Sequence, residues 1–159
     1  MTHTRIACLV LALTLALVAP RASTAEHWAW PVGPPRTIVR PYVAPATPYS
    51  AGHRGIDVTV PDGIVTAPAA GIVHFAGTVV DRPVLSINHG DGVISSYEPV
   101  TTTLRKGDPI ARGDPIGQAV PGHCSSMCLH FGVRIDGEYV SPLSMLGEIP
   151  YAVLLPTRR

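Results

Sequence analysis

The chain is almost without lysine: of its twelve basic residues only Lys106 is one, and they face eleven acidic residues, leaving a formal charge of +1. With no basic tail or cluster it lacks the field that holds a nucleic-acid backbone, and its scattered arginines read as solvated surface. No ten-residue stretch carries a helical stripe, which argues against a helical fold. Neither His-Glu-x-x-His nor a nucleophile elbow occurs, so two common hydrolase signatures are missing. Long apolar runs are also scarce. The one present, "IACLVLALTLALVAP", is about fifteen residues where a membrane span needs roughly twenty.

That run follows a short basic start and precedes Ser23 and Ala25, small residues of the kind signal peptidase requires. Residues 1–25 are therefore expected to be a secretory signal, with an uncleaved membrane anchor as the alternative. Cys8 precedes most of the apolar run, which argues against a lipoprotein. Beyond the signal only Cys124 and Cys128 remain, in a compartment expected to be oxidising.

Residues 26–50 are dense in proline and without periodicity, which predicts an extended arm whose Trp28, Trp30, Tyr42 and Tyr49 cover a sheet. Residues 51–148 carry short, β-branched, glycine-punctuated runs such as "GIDVTV", "AGIVHFAGTVV", "PVLSINH", "GVISSYEPV" and "CLHFGVRI". They predict an all-β domain, a small and mainly antiparallel sheet or partly closed barrel, with turns at "NHGDG" and "IDGEY". Residues 149–159 are expected to form a tail. The doubled "GDPI" in "KGDPIARGDPIG" predicts two similar turns, with Ile110 and Ile116 pointing inward.

In "GHRGIDVTV", Gly55 and the β-branched alternation favour a bend entering a strand, with Asp57 facing inward beside Thr59. A carboxylate so placed must be paired or ligated to offset its desolvation. Alternation in "CLHFGVRI" sets Cys128, His130, Gly132 and Arg134 on one face and Leu129, Phe131, Val133 and Ile135 on the core face. His53, Asp57 and His130 would make a three-ligand zinc set with an open fourth position, although spacing alone also fits hydrogen-bonded histidines and a turn-capping aspartate. His74 reads as a rim residue and His89 as a turn residue, while Arg54 and Arg134 are placed to line a groove. Cys124 and Cys128 could form a disulfide, the leading reading for a secreted pair; Cys128 as a zinc thiolate or as a nucleophile are the others.

The succession "GHRGIDV", "GIVTAPAAGIVHFAG", "VLSINHGDGVISSYEPV" and "CLHFGVRIDGEYVSPLSML" resembles the lysostaphin and LytM-like M23 metallopeptidases from about Trp30 to Leu146. The resemblance implies that His-x-x-x-Asp supplies His53 and Asp57 to Zn2+, and that the last histidine of His-x-His supplies His130. It also implies two catalytic histidines, but Cys128 and Pro99 stand at those places, so the chain reads as a divergent member lacking both. Candidate replacements are Glu98, which alternation points away, Tyr97, which shares the face of Pro99 but ordinarily titrates near ten, and His123, which needs a loop to fold back.

Two functions follow from the resemblance. One is a secreted or wall-associated bacterial zinc endopeptidase, a monomer acting on peptidoglycan stem or cross-bridge peptides. The other is a weak or inert zinc-holding module that binds peptidoglycan or regulates a separate wall hydrolase. No nucleic-acid partner is expected.

Overall fold

A computed structural model describes residues 27–47 and 49–147. The expected signal over 1–25 and tail over 149–159 lie outside the described residues. Among the described residues eleven strands are formed: β1 (Ile38–Arg40), β2 (Ile56–Thr59), β3 (Ile64–Thr66), β4 (Gly71–Val79), β5 (Arg82–Asn88), β6 (Val93–Glu98), β7 (Val100–Thr101), β8 (Pro109–Ile110), β9 (Pro115–Ala119), β10 (Cys128–Ile135) and β11 (Glu138–Val140). They make one sheet in the order β1-β2-β10-β6-β5-β4-β8, with β11 also paired to β10, and a small sheet in the order β3-β9-β7. Their pairings are antiparallel.

The mainly antiparallel architecture is as expected, but the partial barrel is not. The large sheet stays open between β1 and β8. Both edges are too short to close it: β1 has three residues, and β8 has two and begins with proline, which has no ladder donor.

Local chemistry explains the strand order. β10 and β11 are joined by Asp136 and Gly137, both at positive φ (51° and 88°), the two-residue turn that matches the twist of a hairpin. β5 and β6 meet over the "HGDG" turn, where the His89 amide donates to the Val93 carbonyl at 2.9 Å. The doubled motif gives the two similar turns it predicts. Asp108 accepts from the Arg105 amide and Asp114 from the Ala111 amide, each at 2.8 Å. Each following proline opens a strand, and Ile110 and Ile116 are buried behind them.

Side chains of both sheets share one core, including Ile56, Val58, Leu85, Tyr97 and Phe131 from the large sheet and Val65, Val100 and Ile116 from the small one. Each such burial stabilises by roughly 1.5–3 kcal/mol. Trp28, Trp30 and Tyr42 pack against this core, whereas Tyr49 is 98% exposed and covers nothing.

His89 ties the arm to the sheet. It bridges the Ala70 carbonyl and Ser95 Oγ at 2.8 and 2.7 Å, Ser95 bonds the buried Tyr97 hydroxyl at 2.7 Å, and the Trp28 ring lies 4.4 Å from the His89 ring. Burial pushes His89 below its ordinary range despite the opposing Ala70 hydrogen bond. The folded state thus takes up this proton less readily than the unfolded chain. The resulting stability is present above the ordinary histidine range, ~6.5, and is lost as pH falls below it.

Candidate metal centre

The site sits where β2 and β10 run side by side. Their register places His130 opposite Asp57, and on the other side of β10 places it opposite Glu98 of β6. His53 precedes β2 and is held by a two-residue bridge to Val43 of the arm, with both backbone hydrogen bonds formed. Gly55 makes room for the His130 ring. A Cβ there would come within 2.4 Å of the Phe131 carbonyl and 2.8 Å of His130 Cε1 and Nε2.

Three donor atoms converge. His53 Nε2 lies 3.1 Å from Asp57 Oδ1 and 3.1 Å from His130 Nδ1, and His130 Nδ1 lies 2.8 Å from Asp57 Oδ1. His53 Nδ1–H donates to the Pro41 carbonyl at 2.7 Å, which fixes the neutral tautomer that leaves Nε2 with a bare lone pair aimed inward. A lone pair, a carboxylate oxygen and a second imidazole therefore share one point with too few protons to satisfy them, which suits a cation. Their separations approach the ~3.3 Å edge of a tetrahedron with ligand distances of roughly 2.0–2.1 Å.

His123 completes the cluster. From the loop between β9 and β10 its Nε2 approaches Asp57 Oδ1 to 3.1 Å, and the ligating atoms of His53, Asp57, His123 and His130 all lie within 4.8 Å of one another. The other edge of its ring faces an ion pair: Nδ1 is 3.4 Å from Arg82 Nη1 and 3.9 Å from Glu98 Oε1, which Arg82 binds at 2.7 Å. Cys124 and Cys128 form a disulfide that closes this loop immediately beside His123. Burial by itself pushes the Asp57 carboxyl up, but the His130 hydrogen bond and the imidazoles of His123, His53 and His130 outweigh it and hold it at about 2. In the metal-free protein Asp57 therefore favours the folded state above the ordinary carboxyl range and loses that contribution as pH falls toward about 2.

Several expectations need correcting. The expectation of a divergent site stripped of its histidines is overturned: His53, His123 and His130 converge with Asp57, and Pro99 and Cys128 deprive the cluster of none of them. Glu98 faces the site rather than away from it, because Pro99 separates β6 from β7 and alternation cannot be counted across that break. Tyr97 faces the opposite way. It is fully buried, stacks on Phe131 at 5.5 Å, and is pushed by burial far above its ordinary range, opposed only by the Ser95 hydrogen bond. Cys128 is buried and oxidised, which removes it as a thiolate ligand or nucleophile in this form.

Beside the cluster lies an open cleft of about 480 Å³, lined among others by Arg54, His74, Phe75, Glu98, His130 and Arg134. The fold and site thus define a small antiparallel β domain with a histidine-rich, metal-competent centre at a cleft. The sequence model of peptidase family M23 matches residues 51–142, and the chain belongs to that family. The uncharacterized protein Rv2891 of Mycobacterium tuberculosis is 35% identical over 150 residues, covering 89% of this chain and 60% of that protein. The chain thus spans about 60% of the length of the curated relatives it matches.

Two solved structures share the fold. One is the SpoIIQ–SpoIIIAH pore forming complex, with a TM-score of 0.66 and 22% identity over 79% of this chain and 94% of the matched one. The other is a zinc containing peptidase from Vibrio cholerae, with a TM-score of 0.62 and 23% identity over 74% of this chain and 40% of the matched one. Among the described residues no helix is long and apolar enough to cross a membrane.

Proposed function

We propose that the chain is a secreted zinc endopeptidase that cleaves peptides of peptidoglycan. The observation that carries this reading is the convergence of His53 Nε2, Asp57 Oδ1 and His130 Nδ1 within 3.1 Å of one another, with a further imidazole beside them and a cleft alongside. Those three residues would hold zinc, which when bound supplies a Lewis acid for the scissile carbonyl. His123 accepts the proton of the attacking water and returns it to the leaving amine. Glu98 and Arg82 steady the far edge of its ring. The disulfide suits an oxidising compartment outside the cytoplasm.

The test is release of new amino groups from purified peptidoglycan by the oxidised, zinc-loaded protein. Release is expected, stopped by a chelator and restored by zinc. Zinc-bound protein that binds peptidoglycan without cutting it would replace this reading with that of a binding or regulatory module.

The loop disulfide gives a second expectation. A Cys124→Ala/Cys128→Ala variant should lose about 2 kcal/mol of unfolding stability, the chain-entropy value for so short a loop. It should also lose turnover, because His123 is then held only by its own contacts. Denaturant titration and kinetics with zinc at saturation measure both.

A further inference from the structure

Arg54 and Arg134 stand at one end of the cleft that His130 and Glu98 flank. Both guanidinium carbons lie over the same ring, that of Tyr139, at 5.6 and 5.7 Å. Tyr139 is the cross-strand neighbour of Arg134 in the β10–β11 hairpin, while Arg54 arrives from the bend that carries His53. Arg54 also donates to the Ser50 carbonyl at 3.0 Å, so its place is set by the backbone. Among the described residues no carboxylate forms an ion pair with Arg134. The Arg134 guanidinium is thus a cation at the cleft whose charge an anionic ligand would offset. A guanidinium stacked on a ring keeps its N–H edges for such an anion, and its fork matches a carboxylate.

We propose that Arg134, stacked on Tyr139, forms a carboxylate-binding subsite that selects peptides with a negative group set back from the bond to be cut. This rests on the reading of the cleft as a peptide-binding groove. The register fixes the distance. His130 and Arg134 share a face of β10 four residues apart, which is about 13 Å along the strand. An extended peptide covers that distance in roughly four residues. The apolar side of the cleft, with Phe75, Val79 and Val84, would take the intervening small or apolar side chains. The carboxylate can be the C-terminal one or an acidic side chain, and the two sources call for different probes.

The experiment titrates the zinc-loaded, full-length protein with three peptides: acetyl-tetraalanine, its C-terminal amide, and an acetylated, amidated alanine peptide with one glutamate at the fourth position. The acid is expected to bind about tenfold more tightly than the amide. The glutamate peptide should match the acid if a side-chain carboxylate serves, and the amide if only a C-terminal one does. Arg134→Gln should abolish the difference between acid and amide, Arg134→Lys should restore part of it, and zinc content should not change. Equal binding of acid and amide overturns the proposal. So does a preference that survives Arg134→Gln, since that marks a carboxylate on the metal, and so does failure of every peptide to bind. Loss of discrimination with hydrolysis intact removes this subsite alone; discrimination without hydrolysis removes the peptidase reading and leaves the subsite.

Discussion

Replacing His123 with alanine is expected to lower turnover by about two to four orders of magnitude, the usual contribution of a positioned proton-transfer group, while the protein keeps one zinc per chain. The residue is on a loop outside the strand ladders, so its loss should leave the sheets intact. Its ties within the cluster are to Asp57, which keeps His53 and His130, to the His130 ring at 5.3 Å, and to the Arg82–Glu98 pair. The KM should change little, since nothing in the substrate contacts proposed for the cleft passes through this ring. Steady-state kinetics with zinc quantified on the same sample separates the effects. A loss of zinc in parallel with activity would show His123 to be a fourth ligand closing the site, which is the signature of a structural metal.

His130→Ala should have the complementary effect, loss of the metal itself. It removes one of three donors and the hydrogen bond that most favours the ionised Asp57 carboxyl. Losing even an outer-shell partner typically costs 10–100-fold in metal affinity, so removal of a ligand should weaken zinc binding by more than about 100-fold. Hydrolysis should then fall to background at any zinc concentration that leaves the substrate soluble. Competition titration against a chromophoric chelator measures the affinity. Unchanged affinity would mean that the converging atoms are not the binding site.

The sequence carried some of this arrangement plainly and hid the rest for identifiable reasons. Strand periodicity is a short-range property, so the face carrying His130 and Arg134, the hairpin at Asp136 and Gly137, and the paired turns at Asp108 and Asp114 could all be read from local pattern. His53 and Asp57 were placed by the resemblance of their motif, while their approach to His130 depends on the pairing of β2 with β10, which no local pattern states. Parity failed at Glu98 because Pro99 breaks the ladder, and an alternation rule holds only while the pleat is continuous.

His123 lies in "PGHCSSMC", where proline, glycine and serine leave no period to follow. The signal that could have placed it was the cysteine spacing: a disulfide across four residues fixes the loop against the start of β10, beside the strand that bears His130. The openness of the large sheet was also foreseeable in part, since Pro109 begins its edge strand where a closing ladder would need a donor.

The most direct test of the division of labour between three metal ligands and a separate proton carrier is zinc-edge X-ray absorption on the oxidised protein and on His123→Ala. The predicted result is two imidazoles and oxygen ligands in both proteins, with spectra that superimpose. A third imidazole in the parent protein that disappears in His123→Ala would contradict the account.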